Sequence, residues 1–387
     1  MPTKLTQSYL QNMRERYQKS TKKEKTKILD HFCGFSLYSR KHASRVLCGR
    51  IEPRRVRSGP KDKYSHPSFI NHLKTLWEAM SCPCGKTMKK AIPIWIKKYP
   101  KPLSSQDKSL LLQISASSID RKLSFFKISK PRGLSSTKPS RFGNLIPLRT
   151  LDSKAQVPGV INSDTVAHCG VSVAGEYVNT VTAVDLFSFW VELRGMWKKD
   201  ADSTLGQIKK IESRLPFDII EWFNDNGNEF INSKVKDYFE KRSAPVSFKR
   251  TRAYRKNDAC YVEQKNNTHV RKIMGYQRIE CRELVSLINE IYQAYWCPLQ
   301  NFFMPVRKLI KKHRENSKIK KLYDEGKTPY ERLMECDYIS IAKKRKLKDK
   351  FESLNPFTLK EIMDEKLKTL FELVDKHNSH KYGSSVS

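Results

Sequence analysis

The chain has 387 residues, which at about 150 residues per domain predicts two to three domains and excludes a peptide or a disulfide-stapled miniprotein. It carries 75 Lys+Arg against 40 Asp+Glu, a formal charge of +35. No stretch approaches the roughly 18 uncharged apolar residues of a membrane span, and no apolar segment follows the basic N-terminus. The nine cysteines have no framework spacing and favour reduced thiols. We therefore expect a soluble cytoplasmic protein. The 18 Phe, 16 Tyr and 6 Trp residues argue against wholesale disorder.

The positive charge is concentrated near the N-terminus. Residues 1–150 hold 33 Lys+Arg and 8 Asp+Glu, or +25, whereas residues 151–278 hold 20 and 16, or +4, and residues 279–387 hold 22 and 16, or +6. A polyanion would relieve the self-repulsion of the first segment through phosphate contacts and counterion release. The distribution predicts DNA or RNA as the partner, and a merely solvated basic surface is the alternative.

Residues 1–57 are predicted to form a helix-turn-helix unit for DNA binding. Thr21 and Glu24 have the spacing of a capping box, which opens a helix that we expect Gly34 to end. The segment 35–47 then places four residues inward, Tyr38, Ala43, Val46 and Leu47, and four outward, Arg40, Lys41, Ser44 and Arg45. A Gly-containing turn before a helix with a basic exposed face is typical of such readers, and Arg40, Lys41 and Arg45 are the predicted DNA contacts.

Residues 58–128 are predicted to form a second helical DNA-binding unit. Apolar residues at helical spacing begin near Pro67, and Ser115 or Ser117 would cap a basic helix containing Arg121 and Lys122. These two cations are further predicted DNA contacts. Residues 129–150 lack hydrophobic periodicity and are predicted to be a basic linker.

Residues 151–278 show a change of pattern. β-rich runs separated by Gly-containing turns, followed by alternating helical and strand segments, predict the order βββαβαβα and a five-stranded mixed sheet with helices. Residues 279–387 are predicted to be mainly helical, with a basic middle at 307–314 and a short basic run at 343–346 that we interpret as a solvated loop.

Three acids occupy distinctive places in this near-neutral middle segment. Asp164 lies within the first predicted strand, Asp225 directly follows a buried strand, and Glu263 lies early in the last helix. Hard divalent cations need oxygen ligands, and a two-metal site needs carboxylates that converge from separate elements. The three acids could form such a site, and Asp185 at the end of the second strand is the main competitor of Asp164.

The sequence resembles the bacterial insertion-sequence transposases of the DDE type, in the retroviral-integrase superfamily. The motifs are Asp-Thr-Val-Ala-His-Cys at 164–169, Asp-Asn-Gly-Asn-Glu-Phe at 225–230, and Tyr-Arg-Lys-Asn-Asp at 254–258 leading to Val-Glu-Gln-Lys-Asn at 262–266. Sixty residues separate the first two acids and 37 separate the last two, close to the spacing such enzymes favour. The resemblance spans nearly the whole chain and is strongest over residues 164–275.

The resemblance implies a multidomain transposase with all-α helix-turn-helix units, an α/β RNase H-like integrase core and a helical C-terminal region. Asp164 and Asp225 would hold one Mg²⁺ or Mn²⁺, and Asp164 and Glu263 the other, for DNA cleavage at an element's inverted-repeat ends and joining to target DNA. Lys265 and Arg271 lie near enough in sequence to position DNA. The family pattern places the first acid in mid-strand, which favours Asp164 over Asp185. A homo-oligomer on double-stranded DNA, associated with the nucleoid, is expected.

Several alternatives remain open. A non-catalytic DNA-binding protein derived from a transposase, or an RNase H-like nuclease, would have the same pattern. His66, His72, Cys82 and Cys84 are similar to the zinc-binding pairs of retroviral integrases, but a single residue separates the two cysteines, and a zinc site is an open alternative. His168 is expected to be a packing histidine.

Overall fold

A computed structural model describes residues 7–50, 62–126, 155–224, 227, 229–251, 260–315 and 318–383. The chain divides into two compact units, Met1–Lys63 and Tyr64–Ser387. Among the described residues, no helix combines the length and the apolar character needed to cross a membrane.

The first unit is a bundle of three helices: α1 (Gln7–Lys19), α2 (Lys22–Ser36) and α3 (Arg40–Leu47). The predicted capping box is confirmed, because Glu24 Oε2 accepts hydrogen bonds from the backbone N–H and the hydroxyl of Thr21, both at 2.8 Å. The prediction that Gly34 ends α2 is wrong. The helix continues to Ser36, and the left-handed residue that turns the chain is Leu37, at φ 58°. The core of the unit consists of Leu10, Met13, Leu29, Phe32, Ala43, Val46 and Leu47.

The second unit begins with four helices: α4 (Pro67–Ala79), α5 (Gly85–Trp95), α6 (Ser105–Gln113) and α7 (Ala116–Leu123). Ser115 rather than Ser117 caps α7, since its side chain accepts from the Ser118 N–H at 3.1 Å. The fully buried Trp95 donates from Nε1 to Phe303 O at 3.0 Å and packs edge-on against Phe357. Helices α4–α7 therefore share one hydrophobic core with the C-terminal part of the chain, and the finer domain division within residues 64–387 stays a prediction.

The predicted five-stranded mixed sheet is confirmed. Its strands and intervening helices are β1 (Val160–Ala167), β2 (Asn179–Asp185), β3 (Val191–Met196), α8 (Ala201–Glu212), β4 (Glu221–Asn224), α9 (Ser233–Glu240) and β5 (Ser247–Arg250). The strand order is β3-β2-β1-β4-β5. Strands β1, β2 and β3 pair antiparallel, whereas β1, β4 and β5 pair parallel. This order makes β1 the central strand.

A continuous helical segment packs against β1 and β2. It consists of α10 (Cys260–Lys265), a π-helical stretch (Asn266–Arg271) and α11 (Lys272–Met274). Gly275 at φ 69° follows it. A π-helical turn changes which side chains face the sheet, and such turns are frequent at functional sites.

The described residues of the C-terminal part form five α-helices, a π-helical stretch and a β-hairpin. The elements are α12 (Leu284–Glu290), a π-helical stretch (Ile291–Trp296), α13 (Cys297–Phe303), β6 (Leu309–Glu315), β7 (Lys318–Tyr323), α14 (Pro329–Met334), α15 (Ile341–Ser353) and α16 (Pro356–Gly383). The prediction of a mainly helical region missed the antiparallel pair β6–β7. The run Lys343–Lys346 lies in α15, so the interpretation of that run as a loop is wrong.

Candidate active site

Asp164 lies in the middle of the central strand. Its carboxylate is half-buried and accepts hydrogen bonds from the Thr165 N–H at 2.7 Å and from Asn266 Nδ2 at 2.6 Å. Asn266 begins the π-helical stretch that follows α10. The contact between Asp164 and Asn266 therefore joins the central strand directly to the helical segment packed on it.

Glu263 lies on that same helical segment. It is exposed, in the first turn of α10, and precedes Asn266 by three residues. Residues three apart on a helix are neighbours on one face. Glu263 and Asn266 therefore lie on the same face of the helical segment, and Asn266 binds the Asp164 carboxylate.

The third predicted acid, Asp225, lies outside the described residues. The strand before it is described: β4 runs parallel to β1, and Asn224 is paired with Ser163. Ser163 directly precedes Asp164, and Asn224 directly precedes Asp225 in the sequence. At Gly227, an added Cβ would lie 2.6 Å from Glu229 Oε2, so a larger residue there would require the Glu229 side chain to move.

Buried polar side chains flank Asp164 on its face of the sheet. Asn162 precedes it by two residues, so both point to the same side, and Thr182 is paired with it across the strands. Both flanking residues are fully buried, and among the described residues the Asn162 amide and the Thr182 hydroxyl have no hydrogen-bond partner. Buried polar groups are normally satisfied, and carboxylate, amide and hydroxyl oxygens suit a hydrated Mg²⁺. The residues present fit such an ion.

The competing acid Asp185 has a structural role. Its buried carboxylate accepts from the Gly159 N–H at 2.9 Å, the Ser188 N–H at 2.7 Å and the Ser188 hydroxyl at 2.6 Å. Burial raises its pKa against the opposing effect of these hydrogen bonds. Asp185 is paired with Ile161, three residues along β1 from Asp164. It closes the turn after β2, which supports the preference for Asp164.

Two predicted DNA contacts near Glu263 point inward. Lys265 is only 4% exposed, its Nζ lies 3.5 Å from His269 Nε2, and burial lowers its pKa to about 7. Arg271 is half-buried and donates from Nη2 to Ala167 O at 2.8 Å, at the end of β1. Both side chains anchor the helical segment to the core, and their role in DNA binding stays a prediction.

The other predicted DNA contacts lie at or near the surface. Arg40, Lys41 and Arg45 are exposed on α3, and Arg40 forms an ion pair with Asp30. On α7, Arg121 is exposed and Lys122 is half-buried. Their role in DNA binding stays a prediction.

The zinc alternative gains no support from the described parts of the chain. His72 Nδ1 lies 2.8 Å from Tyr99 Oη, and Cys84 Sγ lies 3.5 Å from Thr87 Oγ1. Within those parts, no group of three or more His, Cys, Asp or Glu side chains is placed to hold a metal ion. Of the acidic triad, only Asp164 and Glu263 lie among the described residues.

His168 is the packing histidine that the sequence suggested. It is fully buried, its Nε2 lies 2.8 Å from Thr180 Oγ1, and Thr180 Oγ1 lies 3.0 Å from Tyr292 Oη. Burial, with a smaller effect of the Arg271 charge, lowers the pKa of His168 to about 3. His168 is therefore neutral at pH 7 and links β1 to the C-terminal helices through Thr180 and Tyr292.

This depressed pKa gives a pH prediction. Between pH 6.5 and about 3 the unfolded chain binds a proton at His168 that the folded chain does not, so stability is lost as pH falls through this window. One such proton contributes up to about 1.4 kcal/mol per pH unit. Urea unfolding of wild type and His168→Gln from pH 7 to 4 should give a shallower decline in the variant. Parallel curves would contradict the assignment.

The chain has a curated relative that it matches over most of its length. The "Uncharacterized protein y4rM" of Sinorhizobium fredii (strain NBRC 101917 / NGR234) is 32% identical over 324 residues, which cover 80% of this chain and 89% of the relative. The chain belongs to the y4rM family. No protein-family model matches this y4rM-family chain.

Two solved structures resemble parts of this y4rM-family chain. The catalytic core domain of BIV integrase covers 45% of the chain and 91% of its own length, at 16% identity and a TM-score of 0.28. A simian T-cell lymphotropic virus intasome in complex with a PP2A regulatory subunit, B56 gamma, covers 48% and 60% respectively, at 11% identity and a TM-score of 0.28.

Proposed function

We propose that this y4rM-family chain is a DDE-type transposase that cleaves DNA at the ends of a mobile element and joins those ends to target DNA. The observation that carries the proposal is the hydrogen bond between Asp164, on the central strand, and Asn266, on the helix face that bears Glu263. The pairing of Ser163 with Asn224 supports Asp225 as the third acid, since Asp225 is the next residue in the chain. We also propose that the chain binds double-stranded DNA and self-associates on that DNA.

The proposed metal ligands are the three carboxylates. Asp164 and Asp225 would hold one Mg²⁺ or Mn²⁺, and Asp164 and Glu263 would hold the other. When bound, such a pair of ions activates the attacking oxygen and stabilises the leaving oxygen of a phosphodiester.

The chain's own residues prepare this site in two ways. The Thr165 N–H and Asn266 Nδ2 each donate to one oxygen of Asp164, which fixes the orientation of the carboxylate. The buried Asn162 and Thr182 side chains keep the neighbouring face of the sheet polar. Positioned ligands lose less conformational freedom when they bind a cation, and their supporting hydrogen bonds tune affinity and activity.

The test uses purified full-length protein, Mg²⁺ and duplex oligonucleotides that carry the DNA flanking the gene. Nicking and strand transfer that both disappear in Asp225→Asn would support the proposal. DNA binding without cleavage would instead favour a non-catalytic DNA-binding protein. Cleavage without joining, above all of RNA or of RNA–DNA hybrids, would favour a nuclease.

Replacing Asn266 should weaken activity without unfolding the protein. Asn266→Ala removes the donor that orients Asp164, and loss of such a supporting group typically costs about 10- to 100-fold in metal affinity or activity. We expect a decrease of that size in the rate of Mg²⁺-dependent cleavage, partly restored by raising the Mg²⁺ concentration. The neighbouring Asn267 is exposed, so Asn267→Ala is the matched control. Equal rates in the two variants would remove Asn266 from the site.

A further inference from the structure

The hairpin β6–β7 is a strongly basic element of the second unit. Its strands hold six cations, Lys311, Lys312, Arg314, Lys318, Lys320 and Lys321, against one acid, Glu315. Lys320 forms an ion pair with Glu315. The hairpin still has a large excess of positive charge, and the self-repulsion of such an excess destabilises a compact element. An anionic partner would offset this cost.

Its surface is open to solvent. Lys311, Arg314, Lys320 and Lys321 are exposed, and so are the apolar Ile319 and Leu322, at 60% and 58%. A two-stranded hairpin without a covering layer is only marginally stable in water. The combination of exposed apolar side chains and concentrated charge indicates a surface that is covered in the working complex.

The base of the hairpin is firmly anchored. The Asp324 carboxylate accepts from the Lys308 N–H at 2.8 Å and from Arg332 Nη2 at 2.7 Å. Arg332 is only 9% exposed and also donates to Val306 O at 2.7 Å, while Val306 forms a β-bridge with Lys327. These contacts therefore hold the base of the hairpin in a fixed position.

The base of the hairpin lies close to α10, the helix that bears Glu263. Lys308 Nζ lies 4.5 Å from the centre of the Phe187 ring and 5.6 Å from that of Phe189. On the other side, Lys265 Nζ lies 5.8 Å from the centre of the same Phe189 ring. Lys265 follows Glu263 by two residues in α10. The base of the hairpin and α10, the helix that bears Glu263, thus contact the same aromatic ring.

We propose that the hairpin β6–β7 is an arm that binds the phosphate backbone of duplex DNA and holds the duplex next to the acidic site. The chemistry is that of repeated phosphates, which neutralise the six cations with release of counterions. A two-stranded ribbon has the width that the major groove of B-DNA admits, where apolar side chains can contact base edges. The placement of the arm beside the site rests on the proposed function, whereas DNA binding by the hairpin does not.

The test measures duplex binding by the full chain in EDTA, so that no cleavage is required. Binding of a labelled 30-base-pair duplex is titrated at several salt concentrations for wild type and for Lys311→Gln/Lys320→Gln/Lys321→Gln. Loss of three phosphate contacts should weaken binding roughly tenfold or more at 0.1 M salt and reduce the slope of log affinity against log salt by about 2 to 3. The corresponding Lys→Arg variant keeps the charge and should bind like wild type.

The matched control removes three exposed lysines in or directly after helices α8 and α9, by Lys210→Gln/Lys234→Gln/Lys241→Gln. It should leave the salt slope within one unit of wild type. An unchanged affinity and slope in the hairpin variant would overturn the proposal, as would a loss confined to single-stranded DNA or duplex RNA. A shift from dimer to monomer in Ile319→Ser/Leu322→Ser, with DNA binding intact, would also overturn it. None of these measurements depends on cleavage. They therefore test DNA binding by the hairpin separately from the proposed catalytic activity.

Discussion

Asp164→Asn should abolish Mg²⁺-dependent cleavage and strand transfer while leaving the fold and DNA binding intact. The amide has the shape of the carboxylate and keeps one acceptor oxygen, so it can accept from either Thr165 or Asn266, which bind different oxygens of Asp164. It has no charge to hold a divalent cation. Bound metal ions contribute several kcal/mol of transition-state stabilisation, and each 1.36 kcal/mol is tenfold in rate. We therefore expect a loss of about 1,000-fold or more, measured on labelled duplex ends.

The control for this experiment is another carboxylate-to-amide change in the same unit. Asp202 is 73% exposed on α8, where it pairs with Lys234. Asp202→Asn should cleave at a rate within about twofold of wild type, since isolated surface ion pairs contribute little. Equal residual activity in the Asp164 and Asp202 variants, with DNA binding retained in both, would remove Asp164 from the catalytic site.

Trp95→Ala should produce the largest loss of stability. The indole is fully buried, donates to Phe303 O, and packs edge-on against Phe303 and Phe357. Truncation of a buried aromatic side chain costs about 3–5 kcal/mol, and here a buried carbonyl also loses its donor. Urea unfolding followed by circular dichroism should show the midpoint shifted to lower urea by a free-energy difference of that size.

The comparison variant is Phe125→Ala, also in the N-terminal part of the second unit. Phe125 is 90% exposed, so its truncation should change stability by less than about 0.5 kcal/mol. Should Trp95→Ala prove as mild as Phe125→Ala, the inference that α4–α7 share one core with the C-terminal helices would be wrong.

Much of the fold could be predicted from the sequence because its signals are local. The capping box at Thr21 and Glu24 marks a helix start, and the run of β-branched and aromatic residues after residue 158 marks strands. The sheet was predicted as five mixed strands because the order of strands and helices constrains the possible connections. Asp164 could also be predicted as a site residue, because it is an acid within a strand that is otherwise buried.

Other features depend on contacts between distant residues. The lysine-rich sequence of β6 and β7 has no apolar alternation, so the hairpin became visible only in the pairing of the two strands. Lys265 was predicted to position DNA because it is close in sequence to Glu263, yet the packing of α10 on the sheet buries its side chain. Asn266 was missed as a site residue, although its position three residues after Glu263 on a helix was a usable signal.

Metal-directed cleavage of the polypeptide tests whether Asp164, Asp225 and Glu263 converge on one metal site. In the presence of hydrogen peroxide and ascorbate, Fe²⁺ placed at a Mg²⁺ site reduces the peroxide to hydroxide and a hydroxyl radical, and ascorbate returns the Fe³⁺ to Fe²⁺. The radicals cut the nearby backbone, and mass spectrometry locates the cuts. We predict three cuts, around residues 164, 225 and 263, that Mg²⁺ suppresses and that Asp164→Asn eliminates together. Cuts at one of these segments alone, or cuts that persist in Asp164→Asn, would contradict the account.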